Sequence, residues 1–434
     1  MIINLEKLKT CNSFAVKIPE HILDLYAKNV NEYFISLEKN FHKVKPSESV
    51  DIVSALTSFK EYFNSDSEWE HLTLQSLDIL RKGAKGLFFD KIAAFGGMTH
   101  VAFAIQGLLE KTHKINPFFQ SINNILLDNT TAFLKKSSNK EFNSSGNFEI
   151  IKGLSGPLRY FIQFDDEKMK NMAKQIIDVF IKRSKEITIL NHNITGWHYY
   201  PSKIEEAFMD IDASNGCINY GVSHGMGGPL ATLSIAHKSG LHSDMLIDVI
   251  NGLISEYMNA LYYINDIAYW PGRVNFEQYI GAEDMQKSPG RMSWCYGSVG
   301  ILRTIYMSGD LVCDESIKKF ALDELIKIAK MDLSEYQLFQ PIVCHGYIGT
   351  AAILNAMYLE TGRVEFLQKI IEMIEASAVY TIECFLESEK QRTDNPSSRA
   401  GLHNHLEGYN GIMQTILSIL KSQPSANEKR LLII

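Results

Sequence analysis

Cysteine is scarce in this chain: six in 434 residues, at Cys11, Cys217, Cys295, Cys313, Cys344 and Cys384. Thiols so few and so unevenly spaced exclude a secreted disulfide framework and leave free thiols or a metal site. Long apolar runs are missing too, and none approaches a membrane span. The start, Met1-Ile2-Ile3-Asn4-Leu5-Glu6-Lys7, lacks the basic region and apolar core of a signal peptide. These absences predict a cytoplasmic protein, still free to dock peripherally on a membrane complex. No basic stripe offsets the net charge of −7, which argues against nucleic acid as a partner. No low-complexity segment or interdomain linker interrupts the chain. A composition of 45% hydrophobic and 21% charged residues is that of an ordinary globular protein. A length of 434 residues allows two or three average domains or one large one, and the missing linker favours one over 1–434.

What is present is helical periodicity and a repeat. His21-Ile22-Leu23-Asp24-Leu25-Tyr26-Ala27 and Leu72-Thr73-Leu74-Gln75-Ser76-Leu77-Asp78-Ile79-Leu80 space their apolar residues as helices do. From about residue 95 a Gly-x-x-Gly turn recurs, each copy opening an apolar helix that an amphipathic helix follows. The copies begin at Gly153, Gly225, Gly297, Gly346 and Gly408, with a degenerate one in Phe95-Gly96-Gly97-Met98-Thr99-His100. Gly240, Gly309 and Gly362 read as C-terminal stops of the apolar helices. An inner apolar helix and an outer amphipathic one per repeat is the pattern of stacked helix pairs. The period, roughly 50 to 70 residues, exceeds the familiar solenoid periods. If the array closes into a ring, all turns lie at one end and face a shared centre. One stretch departs from helix: Glu186-Ile187-Thr188-Ile189-Leu190 and Gly196-Trp197-His198-Tyr199-Tyr200 predict a β-rich insert over 186–220. The stretch Ser422-Gln423-Pro424-Ser425-Ala426-Asn427 reads as a frayed tail.

Aligned on their first glycines, Cys295 and Cys344 fall at one register position, and His224 and His345 at the next. Two thiolates and one imidazole are three ligands, the usual protein set of a catalytic zinc with an open position. That set suits an enzyme that handles a substrate thiol. The bland alternative is that both cysteines are small buried residues, though a shared register beside an imidazole fits filler poorly. His224 is the candidate general acid or base, because an unperturbed imidazole titrates near neutrality. A helix cap or a fourth, site-closing ligand are its other readings. Glu149, four residues before Gly153, is a candidate to orient His224 or take a proton. Arg291, four before Cys295, is a candidate to hold an anionic intermediate or a substrate carbonyl. Tyr296 and Trp294 flank the ligand as pocket lining or packing. His403 and His405 sit on the same rim, but Leu406 stands where the cysteines would be.

Ser293-Trp294-Cys295-Tyr296-Gly297, Cys344-His345-Gly346-Tyr347 and Ser223-His224-Gly225 resemble the lanthionine synthetase C family, the cyclases of lanthipeptide biosynthesis. The resemblance spans about residues 95–420. It implies an all-α fold, an α/α toroid of about seven helix pairs with zinc at the centre of one end. Six turns are visible, so one pair must be degenerate, within the first 150 residues. Bacterial members can carry an SH2-like insert, which would be the stretch 186–220. Residue by residue, the resemblance implies Cys295, Cys344 and His345 as zinc ligands, His224 as the catalytic histidine and Arg291 as an arginine beside the site. Glu149 occupies the position of an essential family aspartate, one methylene longer. The implied reaction is intramolecular addition of precursor-peptide cysteine thiolates to dehydroalanine or dehydrobutyrine, giving thioether rings. The implied partners are the dehydrated precursor and, in a membrane-associated complex, a dehydratase and an ABC exporter. Two other readings stand beside it: another zinc–thiol transferase, such as one adding glutathione, and a non-catalytic peptide-binding scaffold with structural zinc.

Overall fold

The computed structural model describes residues 2–11, 18–83, 88, 90–112, 115–138, 144–206, 209, 211–241, 244–391, 401–423 and 425–433. Among these residues seven helices form an inner ring: Pro46–Phe59, Met98–Lys111, Ser155–Phe161, Gly227–Lys238, Ser298–Leu311, Tyr347–Thr361 and Tyr409–Lys421. Each packs on the next, and the Tyr409 helix packs back on the Pro46 helix. Outside them lie Glu20–Asn40, Asp66–Gly83, Asn116–Ser138, Glu167–Arg183, Asp244–Asn259, Glu315–Ala329 and Glu365–Ala378. The chain is an α/α toroid, as the family resemblance implies.

Sequence pattern decides which ring a helix joins. In the Tyr347 helix every residue from Ile348 to Met357 is buried, so only an apolar, all-round surface suits it. In the Glu365 helix burial falls on Phe366, Lys369, Ile370, Met373, Ile374 and Ser377, a single stripe. Truncating Ile370 to alanine would cost about 2–5 kcal/mol. Outer helices also carry side-chain caps: Asp166 accepts the Lys168 and Met169 amides, and Asp314 those of Ser316 and Ile317. Each such cap contributes about 1 kcal/mol.

The degenerate pair is the one opened by Pro46. Its inner helix starts on Lys45-Pro46 with a Glu48 capping bond instead of a glycine turn. The last inner helix gets its outer cover from the other end of the chain. Tyr26 Oη of the Glu20 helix donates to the Met413 carbonyl at 2.8 Å, and Asn29 Nδ2 to that of Ala378 at 3.0 Å.

Three expectations change. Gly240 and Gly362 end their helices with φ of +91° and +67°, but Gly309 lies inside the Ser298 helix. A Cβ there would meet the Lys318 amide nitrogen at 2.8 Å, so Gly309 lets the following helix pack close, and Cys313 takes the left-handed turn instead. The segment 186–220 contains β-structure, but as a hairpin, Ile187–Ile189 with His192–Ile194, and a strand, Cys217–Asn219, that pairs with Arg273–Asn275 outside the segment. No sheet of more than two strands forms among the described residues, so the β-content is spread over the loops and is not gathered in a sheet-centred insert.

The third change concerns the tail expected to fray. Pro424 lies outside the described residues. Ser425 caps a helix, Ala426–Arg430, and Leu431, Leu432 and Ile433 are fully buried. This segment lies within the inner ring. It packs on the Met98 and Ser155 helices. Asn427 Nδ2 donates to Gln414 at 3.1 Å, and Arg303 Nε to the Ile433 carbonyl at 2.7 Å. Apolar side chains and a paired arginine leave water only because the ring supplies their partners. No helix among the described residues is long and apolar enough to cross a membrane.

Candidate functional site

The turns before the inner helices gather at one end of the ring and are stitched to one another. Ser223 N–H donates to the Cys295 carbonyl at 3.3 Å, Cys295 N–H to that of Cys344 at 3.2 Å and Cys344 N–H to that of Leu406 at 2.9 Å. Across the ring, Phe95 N–H donates to the Ile151 carbonyl at 3.2 Å. All six residues stand two before the first glycine of their turn, so equivalent positions do meet around the centre. The second glycine makes this closeness fit. A Cβ on Gly300 would stand 2.1 Å from the Trp294 carbonyl oxygen, and one on Gly349 1.8 Å from that of Val343.

This stitching brings Cys295, Cys344 and His345 together, with their donor atoms all within 4.8 Å of one another. Ligands about 2.3 Å from a tetrahedral zinc stand about 3.5–4 Å apart, so two thiol sulfurs and an imidazole nitrogen here fit a zinc ion in both kind and spacing. Cys295 is buried, while Cys344 and His345 are half-buried, leaving access from the end of the ring. The hydrogen bond from Cys344 holds the Cys295 thiol well below its ordinary range, with His345 adding to the effect, and the same bond pushes Cys344 up.

His224 and Glu149 form a second group on the neighbouring turns. Their Nδ1–Oε2 distance is 3.4 Å, with the glutamate side chain 0% and the imidazole 39% exposed. Most glutamates are solvated. This one is not, because its oxygens accept the Ile151 and Lys152 amides at 2.6 and 2.7 Å. The turn thus fixes the carboxylate, and the carboxylate faces one nitrogen of the exposed imidazole. Arg291 is exposed at the rim, near enough for its charge to lower Cys344. It makes no ion pair among the described residues. Cys11, Cys217, Cys313 and Cys384 take no part in the cluster.

Sequence reasoning left Tyr296 undecided between lining and packing. Its Oη accepts from Asn219 Nδ2 at 2.8 Å and Arg273 Nη2 at 3.0 Å, and burial pushes its pKa up to about 12. The phenol keeps its proton and can donate it. The signal was available: Tyr296 shares the register position of His224 and His345. Trp294 is structural, its Nε1 donating to the Leu431 carbonyl at 2.8 Å.

The chain is similar to the nisin biosynthesis protein NisC of Lactococcus lactis subsp. lactis, with 24% identity over 269 residues. That match spans 60% of this chain and 61% of the length of the relative. The structure of a nisin cyclase superposes with a TM-score of 0.77 at 18% identity, covering 94% of this chain and 97% of that one, a likeness of fold. The family model for lanthionine synthetase C-like proteins matches residues 52–432. With nearly the whole ring inside that match, the chain belongs to the lanthionine synthetase C-like family.

Proposed function

We propose that the protein is a zinc-dependent lanthipeptide cyclase, joining cysteine thiols of a dehydrated precursor peptide to dehydroalanine or dehydrobutyrine as thioether rings. The observation that carries this reading is the convergence of Cys295, Cys344 and His345 within 4.8 Å at the accessible end of the ring. These three residues would hold the zinc. When bound, the ion supplies a positive centre that takes up a substrate thiol as its thiolate.

The chain's own residues do the rest. The half-buried rim admits an extended peptide, and the buried floor around Cys295 keeps competing water away. Sulfur–carbon bond formation at the β-carbon of the dehydro residue leaves negative charge delocalised onto its carbonyl. The α-carbon must then gain a proton. His224 is the donor, with Glu149 facing Nδ1 so that Nε2 is the nitrogen turned to substrate. Tyr296, through its retained phenol proton, and Arg291, whose charge reaches Cys344, are the groups that stabilise the carbonyl oxygen while that charge develops. Glu149 takes the role of the aspartate that the family places before this turn. Residues 1–434 act as one cyclase domain, with 186–220 a β-containing elaboration. The site works in the cytoplasm, against the inner face of the membrane, where a dehydratase and an ABC exporter would deliver and remove the peptide.

The test is direct. The zinc-loaded protein is incubated with a dehydrated precursor, and free thiols are then counted by alkylation and mass spectrometry. Thiols that disappear with no change of peptide mass support ring formation. If every thiol of the correct dehydrated precursor stays alkylatable, the cyclase reading fails.

A further inference from the structure

The repeat is broken by polar residues at two places, and both breaks face one cavity. Three residues before the first glycine, the other turns place Ala94, Ile150, Val222, Trp294 and Val343, all buried and apolar. The last turn places His405 there, 1% exposed. Where the other turns have their second glycine, the Met98 turn has His100, 3% exposed. Both imidazoles, with Asp51, border a cavity of about 330 Å³.

Asp51 and His100 satisfy each other. His100 Nε2 donates to Asp51 Oδ1 at 2.9 Å, while its Nδ1 accepts the Gly96 amide at 3.3 Å. Arg430 Nη2 stands 3.8 Å from the same carboxylate oxygen. The neighbouring His403 is likewise engaged, with Tyr33 Oη at 2.7 Å. His405 is different: neither ring nitrogen has a hydrogen-bond partner among the described residues. Burial pushes its pKa down to about 3, so the ring is neutral and offers one donor and one acceptor.

The cavity opens between exposed Ser47 and Lys91, and Phe88, Phe95 and Leu406 give it apolar walls. The Leu406 carbonyl that accepts the Cys344 amide at 2.9 Å belongs to one of those walls. The cavity and the Cys295–Cys344–His345 cluster are therefore adjacent, and both face the end of the ring where the turns gather. We propose that this cavity is a specificity subsite for the peptide substrate, taking a neutral side chain with an apolar stem and a carboxamide or hydroxyl head from a residue beside the reacting cysteine. The head would meet both nitrogens of His405, which nothing else in the fold serves. A cationic side chain is disfavoured by Lys91 at the mouth and finds the Asp51 carboxylate already paired. This subsite rests on the cyclase reading, since it assumes a peptide at the adjacent cluster.

Two measurements test it, one of them independent of ring formation. The protein labelled with ¹⁵N-histidine is titrated with N-acetylasparagine amide and, separately, with N-acetylleucine amide, and the His405 ring signals are identified by their absence in His405→Phe or His405→Gln. Signals that move with the asparagine probe and stay with the leucine probe support the subsite. Equal responses, or none to the asparagine probe, overturn it and leave a cavity holding water only. In the second arm, zinc-loaded protein cyclises dehydrated peptides differing only in Asn or Leu at each side of the cysteine. The expected preference for Asn is about 10-fold in kcat/KM, falls to within about 2-fold in His405→Phe and returns in His405→Gln. Rings formed without any preference overturn the subsite alone. No rings from any peptide, with the titration still selective, overturn the cyclase reading and leave the binding site.

Discussion

Among the described residues the ring carries two imidazole–carboxylate pairs at the same end, and they differ in almost everything but composition. His224 and Glu149 lie 3.4 Å apart with the imidazole 39% exposed, whereas His100 and Asp51 lie 2.9 Å apart with both side chains 4% exposed. On the half built by the Ser155, Gly227, Ser298 and Tyr347 helices, the chain's amides hold the carboxylate and the imidazole is left open. On the half built by the Tyr409, Pro46 and Met98 helices, imidazole and carboxylate take up each other's hydrogen bond, and the Arg430 charge stands 3.8 Å from the same carboxylate oxygen. A paired histidine and acid is thus no signature of chemistry by itself. What separates a proton donor from a structural clasp is whether one nitrogen remains for a substrate.

The comparison can be broken most severely at the cluster beside the open pair. Cys344→Ala should lose zinc by elemental analysis and slow ring formation about 10³-fold or more, since a metal centre contributes several kcal/mol to a transition state. His224→Asn should slow ring formation about 10²–10⁴-fold while zinc content stays at the wild-type level. A normal rate in that variant would make the open pair as structural as the closed one. Glu149→Asp should cost about 10–100-fold, because a shorter side chain cannot keep both its amide bonds and its place beside Nδ1. On the closed half the expected losses are of stability. His100→Asn should destabilise by about 1–3 kcal/mol in urea unfolding, through the carboxylate it leaves unpaired. Loss of activity at wild-type stability there would erase the distinction between the halves.

The smallest effect is a pH dependence. Burial raises the pKa of Asp51, but His100 and Arg430 outweigh it and bring it to about 2, below the ordinary 3.8. The stability it contributes is therefore present in full above about pH 4 and is lost as pH falls through about 2. Melting curves between pH 2 and 7 should show wild type approaching Asp51→Asn at the acid end, a difference on the order of 2 kcal/mol vanishing.

Much of this was legible in the sequence because the turns are built on backbone contact. Glycines whose Cβ would stand 1.8–2.1 Å from a carbonyl oxygen cannot be exchanged, so their spacing survives as a visible register. That register alone sets Cys295, Cys344, His345 and His224 at equivalent positions around one centre. Where closeness is achieved by other means the pattern is silent. The Pro46 helix opens on proline and a Glu48 bond, so its repeat went unseen. Glu149 looked like any solvated acid, because its amide partners Ile151 and Lys152 are set by the fold of a turn. Residues 425–433 are too few to announce burial, and they are buried only because the ring surrounds them.

That last segment has a consequence for traffic. Arg430 to Ile433 are buried and tied to the Ser298 helix through Arg303, so the end of the chain occupies the hub of the ring. A hub filled in this way favours a peptide that enters and leaves by the same rim. On the proposed function, each thioether closure is a separate visit. The order of the rings is then set by how the peptide presents itself at each return, and by no ratchet along a channel.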